Sequence, residues 1–245
     1  RMEHVNTTIY ETPQEGIACV AARIAKLIRG REAGGQKAVL SLASGRSMRD
    51  LFVELVRLHK EEGLSFKNVV VFCTYEFYPL ADLSTGSMAQ IKSQLLDHVD
   101  ILPENVHAIP GDLPKENILT FCDDYEKLIA SVGGIDIQVL GIGQCGNIAM
   151  NEPGTQANSS TRLVILDNNS RNDAKSLFGN AAQVPASAIT LGIDTILQAT
   201  EVVLLAFGQH KANIVKQAIE GTATPACPAS LLQLHKNASV ALDLD

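Results

Sequence analysis

Short apolar runs rich in β-branched residues recur along the chain and alternate with longer amphipathic segments. The runs predict six strands, at 38–43, 68–73, 105–109, 136–143, 201–208 and 238–244. These runs are mostly apolar throughout, as expected of strands whose two faces are both buried. The intervening segments have helical periodicity, at about 13–30, 47–62, 87–98, 115–131, 209–220 and 227–235.

This alternation predicts a three-layer α/β fold, in which a mainly parallel sheet carries helices on both faces. No internal repeat, low-complexity tract or linker divides the sequence, so we expect residues 2–245 to form a single domain. Arg1 precedes Met2, and we expect Met2 to be the native start.

Composition narrows the classes of function. The formal net charge of −7 argues against a general nucleic-acid surface, which needs clustered Lys and Arg. The longest apolar runs, at 69–72 and 202–207, are far shorter than the ~20 residues that span a bilayer, so we expect a cytoplasmic protein without a membrane partner. The five cysteines form no C-x-x-C pair, which favours reduced thiols over disulfides or a zinc site.

Four loops are candidates for a binding site because parallel sheets bind ligands beyond the carboxyl ends of their strands. They follow the first, second, fourth and fifth predicted strands, and their sequences are SGRSM, CTYEFYPL, GQCGNIAMNEPG and GQHKAN. We expect these loops to build one site.

Two of the loops have features of an anion site. Ser44, Gly45, Arg46 and Ser47 connect a strand to a helix, where free backbone N–H groups and the helix dipole favour a phosphate. The alternative is an ordinary turn with Ser47 as the N-cap. The loop matches no nucleotide-binding motif. Lys211 lies in the first turn of another predicted helix, which is unfavourable for a cation unless an anion lies nearby; otherwise it is a solvated surface lysine.

Seven stretches together resemble the glucosamine-6-phosphate deaminase/isomerase family. They cover about 38–245, and the last four are most similar to its galactosamine-6-phosphate branch: LASGRS, SFKNVVVFCTYEFYPL, LLDHVDILPENVH, GGIDIQVLGIGQCGNIAMNEPG, QVPASAITLGIDTIL, EVVLLAFGQHKA and PASLLQLHKNA.

The resemblance implies a modified Rossmann-like fold that binds a hexose 6-phosphate or amino-sugar 6-phosphate across these loops. The family opens the sugar ring, moves a proton between C1 and C2 and releases ammonia, without a redox cofactor or a metal. By resemblance, Lys211 holds the 6-phosphate, and Ser44, Gly45 and Ser47 match the phosphate loop. The related 6-phosphogluconolactonases share the fold and use a histidine to help water attack a lactone. The oligomeric state stays open, a homo-oligomer included.

The sequence departs from the family at the positions that transfer protons. Where family deaminases have an Asp-Glu pair, with Asp as the proton shuttle, this chain has Tyr75 and Glu76. In the fourth-strand loop, Cys145 replaces an Asp and Asn147 replaces the ring-opening His, while Glu152 retains an acid–base position. Asn cannot titrate, and Tyr normally titrates near pH ~10. The family reaction is therefore expected to be weak, or rerouted through the Glu76 carboxylate and the Tyr75 hydroxyl.

The residues expected to bind the phosphate differ less from the family pattern. Arg46 stands where the family usually has Gly or Ala, and it either adds a charge to the anion site or obstructs it. A family arginine falls at Ser176, where Lys175 or Arg171 are the candidate substitutes.

These observations predict an isomerase/deaminase relative that binds a hexose 6-phosphate. The main alternative is a non-catalytic phosphosugar sensor or regulatory subunit. A third hypothesis, hydrolysis of a sugar-phosphate lactone, is weakened by the same missing histidine. Cys145 is either a nucleophile or a small residue that fills the space of the lost Asp, and the second interpretation is favoured.

Overall fold

The structure, a computed structural model, describes residues 4–244, so the expected start at Met2 lies outside the described residues. The strands of this part are Asn6–Tyr10 (β1), Ala38–Leu42 (β2), Val69–Cys73 (β3), Tyr75–Tyr78 (β4), Val106–His107 (β5), Ile137–Gly141 (β6), Arg162–Ile165 (β7), Ser187–Thr190 (β8), Glu201–Ala206 (β9) and Ala238–Asp243 (β10). The α-helices are Pro13–Ala33 (α1), Arg46–Glu62 (α2), Ser87–Gln94 (α3), Ile118–Ser131 (α4), Asn168–Phe178 (α5), Ile193–Leu197 (α6) and Ala212–Glu220 (α7).

A parallel sheet of seven strands forms the centre, in the order β1-β10-β9-β6-β2-β3-β5. From β2 the chain proceeds to β3 and β5, then returns to β6 on the other side of β2 and continues to β9 and β10. The strand order therefore reverses between β2 and β6, and parallel sheets typically bind ligands at such a point, beyond the carboxyl ends of the strands.

Helices cover both faces of this sheet. The connections from β2 to β3 and from β9 to β10 run in opposite directions along the sheet, so right-handed crossovers place α2 and α7 on opposite faces. Every residue of β2 and β3 is buried. The predicted three-layer α/β fold with a mainly parallel sheet is thus confirmed.

A second, antiparallel sheet with the order β4-β8-β7 is absent from the sequence-based prediction. The segment predicted as a loop after the second strand contains β4, so that prediction is wrong. Tyr75 pairs with Thr190, and Thr190 pairs with Arg162 on the other side. Strands of four residues carry too few alternating positions to stand out in a sequence.

Some helical predictions also need correction. The segment predicted as a helix at 227–235 is a 3-10 helix at Pro228–Leu234, and the segment at 209–220 begins with a 3-10 turn at Gln209–Lys211 before α7. The short elements β1, α5 and α6 were not predicted. Among residues 4–244, none of the helices combines the length and apolar character that crossing a membrane requires.

Candidate functional site

The loops after β9, β6, β2 and β3 lie along one edge of the central sheet, because these four strands are neighbours. Two contacts join the loops. The hydroxyl groups of Ser44 and Tyr75 are hydrogen bonded at 2.8 Å, and Lys211 Nζ donates to the carbonyl oxygen of Ile142 at 2.8 Å. The structure therefore joins the predicted phosphate loop to Tyr75, and Lys211 to the loop after β6, along this edge of the sheet.

The amino terminus of α2 offers free N–H groups at this edge of the sheet. Gly45 is the N-cap, with φ 139°, and no side chain caps the helix. A φ in this range is accessible to glycine but strained for other residues. Ser47 is already inside the helix, so its interpretation as the N-cap is wrong. The uncapped N–H groups of the first turn, together with the helix dipole, favour an anion.

Lys211 lies in the turn after β9. Its side chain is half-buried, and burial lowers the pKa of Lys211 while the charge of Asp173 raises it and the charge of Arg46 lowers it. The ammonium group of Lys211 therefore interacts electrostatically with both Asp173 of α5 and Arg46 of α2. Arg46 is exposed at the first position of α2.

The loop after β6 is folded tightly. Gly143 N donates to the carbonyl oxygen of Asn147 at 2.9 Å, and Gly146 N donates to the carbonyl oxygen of Gly143 at 3.0 Å. Gly146 has φ 79°, and a Cβ there would lie 2.5 Å from Cys227 Sγ. Ala149 also adopts a positive φ, 51°. This geometry fixes the direction of the side chains at 145 and 147.

Those two side chains contact the first turn of α5. Asn147 Nδ2 donates to Ser170 Oγ at 3.4 Å, and Asn169 Nδ2 donates to Cys145 Sγ at 3.3 Å. These hydrogen bonds place an amide, not a base, beside the thiol. The amide of Asn147 cannot accept and return a proton as the family histidine would.

Glu152 provides the carboxyl group of the same loop. Its Oε1 accepts a hydrogen bond from Asp167 N at 3.3 Å, and its buried Oε2 has no partner among the described residues. Burial raises the pKa of Glu152; interactions with Ser170 and Asp167 N oppose this rise, and the charges of Asp167 and Asp173 add to it. A carboxyl group with a raised pKa can serve in acid–base chemistry.

Tyr75 and Glu76 point to opposite faces of β4. The Tyr75 side chain faces Ser44, and burial raises the pKa of Tyr75 to about 12, so the phenol is protonated at neutral pH. Glu76 is 3% exposed and accepts hydrogen bonds from three backbone N–H groups. Burial also raises the pKa of Glu76, and these N–H groups oppose the rise. The two adjacent candidates therefore do not converge on one reacting atom.

Comparison with known proteins gives the family. The sequence profile of the glucosamine-6-phosphate isomerases/6-phosphogluconolactonases matches residues 11–241. The chain belongs to this family. It is 49% identical, over its whole length, to a glucosamine-6-phosphate deaminase-like protein of Bacteroides thetaiotaomicron, but spans only 37% of that relative. It is 43% identical to the glucosamine-6-phosphate deaminase of Shewanella woodyi over 84% of this chain and 77% of that protein.

Solved structures agree with this family. A monomeric glucosamine-6-phosphate deaminase, 32% identical, superposes with a TM-score of 0.92 over 98% of this chain and 97% of the other. The 6-phosphogluconolactonase of Trypanosoma brucei superposes with a TM-score of 0.78 at 21% identity, over 98% and 96% of the two chains, and shows the shared fold.

Lys175 and Arg171 of α5 were the candidate substitutes for the family arginine that falls at Ser176. Arg171 Nη2 donates to the carbonyl oxygens of Ala181 at 3.2 Å and Val184 at 3.1 Å, so its guanidinium is engaged by the turn after its own helix. Lys175 and Ser176 are exposed on α5.

Three residues near the loop after β6 were given no functional role from the sequence. Asn151 is fully buried and accepts a hydrogen bond from Arg162 Nη1 at 3.0 Å. Ser170 and Asp173 lie on α5, which has recognisable end signals: Asp167 caps it by accepting from Ser170 N at 2.7 Å, and Gly179 follows its last residue. These signals could have located α5, whereas the partner of Asn151 depends on the fold.

Proposed function

We propose that this protein binds a hexosamine 6-phosphate in the crevice between β2 and β6 and deaminates it slowly or not at all. Family membership, the uncapped amino terminus of α2 and the half-buried Lys211 support the binding site. The chain spans 37% of the length of the Bacteroides thetaiotaomicron relative, and the proposal concerns only the residues of this chain.

One contrast supports the proposal: the uncapped amino terminus of α2 and Lys211 favour an anion, while two of the positions assigned to proton transfer hold a buried phenol and an amide. Tyr75 is kept protonated by burial, and Asn147 and Cys145 bond to polar side chains of α5. Loss of a positioned acid–base group costs ~10²–10⁴ in rate. Glu152 is then the remaining acid–base candidate, and binding without turnover is the sensor hypothesis.

The sugar epimer is part of the proposal. The sequence stretches most similar to the galactosamine-6-phosphate branch favour that ligand, whereas the named deaminase relatives act on glucosamine 6-phosphate. We therefore propose both epimers as ligands to be compared.

A thermal-shift series tests binding, with glucosamine 6-phosphate, galactosamine 6-phosphate and the two unphosphorylated sugars. At ~100 Kd a ligand stabilises by ~2.7 kcal/mol, which is easily measured. We expect shifts with the phosphorylated sugars alone. Absence of any shift at millimolar concentration would refute binding.

Ammonia release and ketose formation test turnover. We expect a rate at least ~10²-fold below an ordinary turnover of ~10 s⁻¹. The combined Tyr75→Asp, Cys145→Asp and Asn147→His variant should release ammonia faster, and single restorations should do little because residues that act as a unit are non-additive. Family-like turnover by the wild-type protein would contradict the loss of catalysis.

A further inference from the structure

The Glu76 carboxylate is saturated by backbone donors. It accepts hydrogen bonds from the N–H groups of Phe77 at 2.9 Å, Ser87 at 2.7 Å and Met88 at 2.9 Å. With 3% of its surface exposed, Glu76 has no free path to a ligand in the crevice. This environment is that of a carboxylate which holds backbone in place.

The backbone it holds is the first turn of α3. Gly86 is the N-cap of this helix and provides no side-chain acceptor, so the N–H groups of Ser87 and Met88 rely on Glu76 from a different element. The fit is close: a Cβ at Gly86 would lie 2.7 Å from both carboxylate oxygens of Glu76. A negative charge at this position also complements the helix dipole.

The strand that carries Glu76 presents Tyr75 on its other face, because successive side chains of a strand point to opposite sides. Tyr75 Oη lies 2.8 Å from Ser44 Oγ and donates to the Ser44 carbonyl oxygen at 3.3 Å. Ser44 is 9% exposed and directly precedes the N-cap of α2. A fixed β4 therefore fixes the loop at the amino terminus of α2.

We propose that Glu76 is a positioning residue: its carboxylate fastens α3 to β4 and so holds the Tyr75 hydroxyl against Ser44 in the phosphate loop. This inference rests on the proposed function for its ligand, but the mechanical link exists without the ligand. It assigns Glu76 a role different from that of a catalytic base.

A double-mutant cycle with Glu76→Gln and Tyr75→Phe tests the link. Gln keeps one acceptor oxygen but turns an NH₂ group towards a backbone N–H. In otherwise wild-type protein, we expect Glu76→Gln to weaken glucosamine 6-phosphate binding about tenfold and to speed amide exchange in the ligand-free loop 44–48. In the Tyr75→Phe background, the same change should alter affinity less than about twofold, because the hydroxyl through which Glu76 acts is already gone.

Two further variants separate positioning from general stability. Asp100 accepts hydrogen bonds from Phe66 N at 2.6 Å and Ser65 Oγ at 3.0 Å, at the opposite end of β3, so Asp100→Asn should lower the melting temperature without changing exchange in loop 44–48. Gly86→Ala should displace the Glu76 carboxylate, so it should also speed amide exchange in loop 44–48 and weaken glucosamine 6-phosphate binding. This variant provides the same test if the Glu76→Gln protein does not fold.

The outcomes distinguish this inference from the proposed function. If the wild-type protein binds no phosphosugar, the proposed function fails, while the exchange measurements still decide the role of Glu76. Unchanged exchange in loop 44–48 in both Glu76→Gln and Gly86→Ala, or equal effects of Glu76→Gln in the two Tyr75 backgrounds, would overturn the inference.

Discussion

At the scale of single residues, the site combines a protonated phenol, a half-buried lysine and a carboxyl group with one unpartnered oxygen. Tyr75, Lys211 and Glu152 all have their pKa values shifted by burial, and each shift favours the uncharged form. A bound phosphate would reverse this preference at Lys211, since an anion stabilises the ammonium. The three side chains can therefore be tested one at a time.

Tyr75 should be among the last tyrosines to ionise. Burial raises the pKa of Tyr75 to about 12, so a titration followed by ultraviolet absorbance should lose one late-ionising phenol in Tyr75→Phe. Removal of the hydrogen-bonded hydroxyl should also lower the free energy of unfolding by ~1 kcal/mol. Ionisation of Tyr75 near pH ~10, the usual range, would mean that the phenol is solvated.

Lys211→Ala should weaken phosphosugar binding and leave the protein folded. A hydrogen bond to a charged group contributes ~1.5–3 kcal/mol, which corresponds to about a 10- to 150-fold loss of affinity. Calorimetric titration with glucosamine 6-phosphate measures this change. The matched control is Lys216→Ala, an exposed lysine of α7, the helix that Lys211 precedes. Equal affinities of the two variants would show that Lys211 does not bind the phosphate and is a solvated surface lysine.

Glu152 should make stability fall as pH rises. Its pKa is raised in the folded protein, so the carboxyl costs nothing below its unfolded pKa and destabilises the fold once pH passes the folded value. Glu152→Gln should therefore be more stable than the wild type at about pH 8, with the difference vanishing near pH ~4. Melting temperatures across this range provide the measurement, and a difference independent of pH would contradict it.

At the scale of elements, prediction from sequence succeeded where apolar runs were long. The apolar pattern predicts every strand of the central sheet except β1. It also predicts helices α1, α2 and α4. The strand β4 escaped because one residue, Thr74, separates it from β3, so the two read as a strand and its loop. The sequence analysis singled out residues 75 and 76 as candidates, but the opposite directions of their side chains follow only from the strand.

The loop after β6 depends on glycine at a position that a sequence pattern marks only as a turn. Gly146→Ala should lower the free energy of unfolding by ~1–3 kcal/mol, because φ 79° is strained for alanine and the new Cβ would meet Cys227 Sγ. Gly30→Ala is the control: it lies in α1 with open space around it and should stabilise by ~0.5–1 kcal/mol. Chemical denaturation of both variants measures the contrast, which would be absent if the loop could relax freely.

At the scale of the whole molecule, the sequence predicted the edge of the sheet at which the loops meet, but not the contacts between those loops and α5. Alternation of strands and helices specifies a parallel sheet, and the loops after its central strands then have to meet at one edge. The site residues on α5 and the pairing of Asn151 with Arg162 come from packing between distant segments. Such contacts leave no periodic mark in either segment.

The antiparallel sheet also determines when the site is completed during synthesis. Glu76 of β4 pairs with Ile189 of β8, so this wall cannot close until the ribosome has released most of the chain. By contrast, β2 and β3 are close in sequence and can pair early. A nascent chain that ends before residue 187 therefore contains the phosphate loop and Tyr75 but not the strand that pairs with β4.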